Sequence, residues 1–389
     1  MTATTLSAED LAIDRELARL AESFRFLLDL TPVDVQANRH AFLHDGIDPT
    51  FTYRPLEDRT EVLRAELAAI PVADVEDHTF GHLLRAKHRE LELQLEMLDA
   101  RDTADFMPLS TELYGAVAPG LLDHAERLLS EIDPPTGTSD GPRLDAEEFA
   151  ALAEAELAHY RAIDPDIGLH VEIRTDASGI MVSGPDLIVS TAATVAADRA
   201  HALLQHEVGT HLLTYVNGSC QPVRILATGL AGYEETQEGL AILAEYLVGG
   251  LSPTRLRQLA ARVVAVHHAT LGAPFAEVHQ HLVDAGLSPG RAFTTAMRAL
   301  RAGGLTKDAI YLRGLLGLLD HLRRGGTLDL LWSGKLPLED LPLVGELADR
   351  GLLAPPKVLP RYLADPATDA RLARAAGITD PAELIGTST

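Results

Sequence analysis

The stretch LLQHEVGTHLLTYVNG (203–218) decides how this chain is read. It holds His206 and His211 five residues apart, with Glu207 directly after the first histidine. The familiar zinc-peptidase pattern is H-E-x-x-H, which sets two imidazoles one turn apart on one helix face. Here one extra residue intervenes. Five residues of ideal α-helix advance about 140° past a full turn, so the two rings would diverge. A π-bulge would bring them back together. Gly209 sits inside the insertion and tolerates that distortion. The spacing therefore predicts a deformed helix at 207–211.

Two histidines need a third protein ligand, with a fourth position left for water. The candidate is Glu238, 27 residues beyond His211, in the segment YEETQEGLA (233–241). Glu238 opens the apolar run LAILAEYLV, so it starts a helix with a buried stripe and its carboxylate can face inward. Glu234 and Glu235, one turn earlier, are candidate hydrogen-bond partners of the histidines. Glu207 is the candidate general base, taking a proton from water and returning it to the leaving amine. Chance matches to such a motif occur in a chain with 16 histidines. His201, His267, His268, His279 and His281 are therefore read as ordinary surface or core residues.

Around this segment the pattern is mainly helical. LAIDRELARLAESFRFLLDL, with Ser7 as a capping residue, opens a helical N-terminal region. TEVLRAELAAI, FGHLLRAKHRELELQLEMLDAR and ELYGAVAPGLLDHAERLLSEI continue it, the last interrupted or begun near Pro119. DPPTGTSDGPR (133–143) reads as a linker or surface loop. LHVEIR (169–174), GIMVS (179–183) and DLIVS (186–190) are the one strand cluster, the last two forming a hairpin at Gly184-Pro185. A helix then runs from Ala196 to Val216, with a turn at Asn217-Gly218. The expected fold is mainly α with a small β-sheet (α+β). It divides into a helical N-terminal region (1–140), a catalytic region (141–330) and a Pro-rich helical extension (331–389). Hairpin, histidine helix, turn and glutamate helix follow the order of gluzincin-like metallopeptidases. The hairpin would offer an edge strand to an extended peptide.

Farther on, GGLTKDAIYLRG (303–314) carries Lys307, Tyr311 and Arg313. Thr306 is a candidate helix cap. Lys307 and Tyr311 share a face at i, i+4, whereas Arg313 lies roughly opposite Tyr311. Lys307 with Tyr311, or Arg313, would bind a substrate carboxylate or stabilise an oxyanion. A structural ion pair is the competing reading. Tyr114 is read as core.

Composition narrows the function. Of 389 residues, 33 are Lys or Arg and 57 are Asp or Glu, a net charge of −24. That balance argues against nucleic acid, whose phosphates need a basic face, and against anionic membranes. The one cysteine, Cys220, excludes a thiolate zinc site and an internal disulfide. The first residues lack a signal-peptide core, and no apolar run reaches bilayer length. The expectation is a cytoplasmic protein.

HEVGTH with YVNG, followed by GYEETQEGLA, resembles the QEGLA-motif proteins. FTYRPL (51–56), SGIMVS (178–183) and TKDAIYLRGLL (306–316) extend the similarity to about residue 325. Bacterial members are labelled flavohaemoglobin expression-modulating proteins. Their eukaryotic relatives are the microtubule-associated tyrosine carboxypeptidases, which remove the C-terminal tyrosine of α-tubulin. The resemblance implies a zinc peptidase with His206, His211 and Glu238 as ligands of Zn2+ and Glu207 as the catalytic glutamate. By analogy it acts on a peptide or protein C-terminus. Its substrate does not transfer, since this acidic sequence has no basic tract suited to acidic microtubules. The alternative is a non-catalytic or metal-sensing regulatory protein, in which zinc is structural or absent.

Overall fold

Apolar residues three and four apart become helices along most of the chain, and the period-2 segments become two small sheets. The computed structural model describes residues 5–56, 59–134, 141–177 and 179–385. The architecture is mainly α with a little β, as expected. Ser7 caps the first helix, Ala8–Ser23, by accepting from the Asp10 N–H at 2.9 Å. Gly115, at φ 78°, ends the helix Phe106–Tyr114, and Pro119 begins Pro119–Glu131 at a position where its missing N–H costs nothing. Residues 135–140 of the expected linker lie outside the described residues, as does Ser178. Beyond the linker, Asp145 and Glu148 form a reciprocal capping box that starts the helix Ala146–Ile163.

Strands β1 (Arg143–Leu144), β2 (His170–Arg174), β3 (Ile180–Ser183), β4 (Asp186–Ser190) and β5 (Val195–Ala196) follow in order. β3 and β4 are the expected hairpin, with Ser183 opposite Asp186 across Gly184-Pro185. β2 joins β4 in parallel, giving the order β2-β4-β3 with β3 at an edge. β1 and β5 form a separate antiparallel pair, too short to show a period in the sequence.

The segment after β5 is one continuous helical rod with a deformed centre. Ala197–His206 is α-helical, Glu207–Leu212 is π-helical, and Leu213–Ser219 is α-helical again. Leu204, Val208 and Leu212 are buried on one side of it, against Phe149, Leu157, Leu187 and Val358. Each such side chain contributes about 1.5–3 kcal/mol, enough together to hold a π-turn that would not persist alone. The expected turn at Asn217-Gly218 does not occur. The buried Asn217 side chain instead donates to the Val358 carbonyl (2.8 Å) and accepts from the Val358 N–H (3.0 Å). Gly218 packs directly on the Leu226 backbone, where a Cβ would clash.

The helix Tyr233–Leu247 lies against the other side of the rod. Its residues 239–247 are all buried, so it is a central helix that is apolar all round. It crosses the helix Ile310–Arg323 at paired glycines, Gly239 and Gly314, and a Cβ on either would fall on the other helix's backbone. Its side chains belong to the largest core, which also takes Leu17 and Phe80 from the N-terminal helices, and Trp332 and Leu384 from the C-terminal part.

Candidate metal centre

The π-turn corrects the angular mismatch between the histidines. The rings of His206 and His211 lie 5.1 Å apart at 75°, both facing the helix Tyr233–Leu247. Glu238, on the second turn of that helix, places Oε2 3.8 Å from each Nε2. One donor atom from each of the three falls within 4.8 Å of the others. Among the described residues no other such group occurs. These separations are too long for hydrogen bonds and short enough for three donors to share one ion. Two imidazoles and a carboxylate suit a borderline cation such as Zn2+. Gly209 allows the turn to pass beneath Gln205 and Tyr362, since a Cβ there would come within 2.6 Å of Gln205 Oε1 and 3.1 Å of Tyr362 Cε1.

The carboxylate behind His206 is Glu245, not Glu234 or Glu235. Glu245 Oε1 lies 2.9 Å from His206 Nδ1, which turns Nε2 toward the centre. Glu245 is fully buried and carries two guanidinium partners. Arg199 donates to Oε2 at 2.7 Å, and Arg255 donates to both oxygens at 3.2 and 3.3 Å. Burial works to raise its pKa, but Arg255, His206 and Arg199 overcome this and hold the carboxyl well below its ordinary value. Burial also works against the His206 imidazolium, yet the Glu245 hydrogen bond and the Glu207 charge raise its pKa. Among the described residues no carboxylate stands behind His211 in this way. Burial brings it down to about 4, so it stays neutral with its lone pair free for a cation. Gln237, immediately before Glu238, touches His211, and its Oε1 accepts from Thr214 at 2.9 Å.

Glu207 is buried beside the three donors. Burial first, and the Glu238 charge next in that direction, raise its carboxyl to about 7 against the opposing pull of His206. Glu238 is held low. Burial opposes ionisation, but Lys307, His211, His206 and the Tyr311 hydroxyl favour it. Lys307 and Tyr311 thus come together at the centre, on the side of Glu238. The Lys307 ammonium is 2.9 Å from Glu234 and 3.8 Å from Glu238 Oε1. It also lies 5.6 Å from the ring centre of Tyr114, so this core tyrosine borders the site.

Arg313 is placed elsewhere. Its Nε donates to Glu235 at 2.6 Å, and its Nη2 donates to the Tyr114 carbonyl. It ties the glutamate helix to the end of the helix Phe106–Tyr114 and does not reach the three donors. Thr306 does not cap a helix through its side chain. Its hydroxyl donates to the Ser110 carbonyl (2.9 Å), and a 3-10 turn, Thr306–Ala309, leads into Ile310–Arg323. His268 stacks on His281 and His279 packs on Phe42, away from the centre.

Sequence reasoning missed Glu245, Arg199 and Arg255. A signal for Glu245 exists: it stands seven residues after Glu238, two turns along the same face, inside an otherwise apolar run. Nothing in the sequence connects it to Arg199 or Arg255, because that pairing exists only once three helices meet.

Fold and site together define a mainly helical protein with a buried two-histidine, one-glutamate cluster on a π-distorted helix. The chain belongs to the microtubule-associated tyrosine carboxypeptidase family, whose model matches residues 40–379. That span runs past residue 325, where the sequence resemblance ended. Microtubule-associated tyrosine carboxypeptidase 1 of Mus musculus is 33% identical over 175 residues, 42% of this chain and 36% of that one. Its Rattus norvegicus counterpart is 31% identical over 178 residues, with the same coverage. The match thus spans about a third of the length of these curated relatives. A crystal structure of a Colwellia psychrerythraea protein is similar at a TM-score of 0.43 and 13% identity, over 82% of this chain and 66% of that one. Among the described residues no helix is long and apolar enough to cross a membrane.

Proposed function

We propose that this protein is a zinc-dependent, gluzincin-like metallopeptidase, acting as a carboxypeptidase on a peptide or protein C-terminus. The observation that carries the reading is the convergence of His206, His211 and Glu238 within 4.8 Å, with Glu207 buried beside them. His206, His211 and Glu238 would hold the ion. When bound, Zn2+ supplies Lewis acidity, which acidifies water and polarises a carbonyl.

The other steps belong to the chain. The Glu207 carboxylate accepts a proton from the attacking water and delivers it to the departing amine, so the carboxylate is regenerated each cycle. Glu245 keeps His206 in one orientation and tautomer, and Gln237 steadies His211. Tyr311, beside Glu238, presents a hydroxyl whose pKa is raised by burial and by the Glu238 charge, so it stays a hydrogen-bond donor for an oxyanion. The free edge of β3 offers main-chain hydrogen bonds to an extended peptide.

The relatives' names supply the carboxypeptidase part of this reading. A microtubule substrate does not follow from them here, because an acidic tail would meet a chain of net charge −24. Purified protein should contain close to one zinc per chain by elemental analysis, and should release C-terminal residues from a peptide library. Glu207→Gln should keep the zinc and lose about 10²–10⁴-fold in rate. Full activity in that variant, or a wild-type protein that binds no zinc, overturns the proposal.

A further inference from the structure

The chain has four lysines, and three of them have carboxylate partners. Lys87 pairs with Glu90 at 2.6 Å, Lys307 with Glu234 at 2.9 Å, and Lys357 with Asp164. Lys335 differs. Among the described residues its ammonium has neither a carboxylate within pairing distance nor a hydrogen-bond acceptor. Glu234 and Glu22 bear on it only through their fields. Its Nζ lies instead against two aromatic faces, 5.4 Å from the ring centre of Tyr215 and 5.8 Å from that of Tyr233. For a half-buried cation in a chain of net charge −24, the absence of a carboxylate partner among the described residues is the anomaly.

Its position is defined. Tyr215 stands one turn beyond His211 on the π-distorted rod, with its hydroxyl near Gly184 of the hairpin. Tyr233 opens the helix that carries Glu238, and its ring packs on Gly229, where a Cβ would strike it. The Lys335 backbone is pinned on both sides, donating to Leu226 at 2.8 Å and accepting from Leu230 at 3.0 Å. The base of the side chain is therefore fixed, while its head rests on the two rings without a paired carboxylate among the described residues. The two rings it faces, Tyr215 and Tyr233, stand on the rod that carries His211 and on the helix that carries Glu238, which places the head on the side of the centre. Burial, and then the charge of Lys87, bring the Lys335 ammonium down to about 8, as expected of a cation lacking a counter-charge.

We propose that Lys335 binds the C-terminal carboxylate of the peptide substrate, with Tyr215 and Tyr233 holding the ammonium in place. A peptide whose last scissile carbonyl lies at His206, His211 and Glu238 carries its terminal carboxylate one residue farther on. Lys307 and Arg313 are already engaged by Glu234 and Glu235, whereas Lys335 is not. A charge-assisted contact in this half-buried place selects a free C-terminus over a blocked one. This proposal rests on the carboxypeptidase reading and deepens it.

The test uses fluorescein-labelled tetra-alanyl-tyrosine as the free acid and as the C-terminal amide. Binding to the zinc-loaded full chain carrying Glu207→Gln is followed by fluorescence anisotropy, and tyrosine release is followed with the unsubstituted protein. The Glu207→Gln protein should prefer the acid by about 10- to 100-fold. Adding Lys335→Met should erase that preference, and adding Lys335→Arg should retain most of it. A purely structural lysine would weaken both peptides alike. An intact preference in the Lys335→Met protein, or no preference in the Glu207→Gln protein, overturns the proposal. An acid preference that depends on Lys335, with no tyrosine ever released, keeps the carboxylate site and overturns the carboxypeptidase reading.

Discussion

At the scale of single residues, the buried carboxylates near the centre have different tasks set by their partners. Glu238 faces two imidazoles and Lys307, Glu207 feels His206 but forms no ion pair among the described residues, and Glu245 faces two arginines and a histidine. In the proposed metal site Glu245 would act through His206, as a positioning residue. Glu245→Gln keeps the shape but removes the charge that orients the imidazole and balances Arg199 and Arg255. Zinc affinity, measured by chelator competition, should fall about 10- to 100-fold while the circular dichroism spectrum stays unchanged. His206, Glu207, His211 and Glu238 are legible in the sequence because motif spacing is local information. Glu245 is less so, since a glutamate inside an apolar run signals burial without naming its partner.

At the scale of elements, the centre depends on one irregular helix and one close crossing. The π-turn Glu207–Leu212 follows from the inserted residue, and the five-residue histidine spacing makes it predictable. The crossing of Tyr233–Leu247 over Ile310–Arg323 is not predictable from spacing. Gly239 and Gly314 are ordinary helical glycines until the two backbones meet at them. Gly239→Ala or Gly314→Ala should push the helices apart and carry Glu238 away from the histidines. The expected loss is about 1–3 kcal/mol in urea unfolding, together with reduced zinc retention. Misreading Asn217-Gly218 as a turn has the same origin. The local pattern favours a turn, but Asn217 gains two hydrogen bonds to Val358 by staying in the helix.

At the scale of the whole molecule, a second charged cluster braces the helices behind the centre. Asp308 is buried and accepts from Arg298 at 2.6 Å on both oxygens, with Arg262 3.7 Å away. Burial works to raise its pKa, but Arg298, Arg262 and Arg301 hold the carboxyl well below its ordinary value of 3.8. The folded state therefore binds this proton less readily than the unfolded one. The resulting stabilisation is present above about pH 4 and is lost as pH falls below it. Urea unfolding of the wild type should show this loss. Asp308→Asn should cost about 3–5 kcal/mol at neutral pH, because three arginines lose their counter-charge, and should flatten the acid dependence. A flat wild-type profile from pH 5 to pH 3 would contradict this account.

The sequence alone determined the helical class, the hairpin and the deformed helix, and it named the three candidate metal donors and the glutamate beside them. Each is written in spacing along one element, or in short-range turn and cap chemistry. Tertiary structure alone decided that Glu245 backs His206, that Arg313 belongs to Glu235, and that Lys335 has no paired carboxylate among the described residues. Those outcomes depend on which helices cross, and residues far apart in the chain exchange partners through contacts that no local period records.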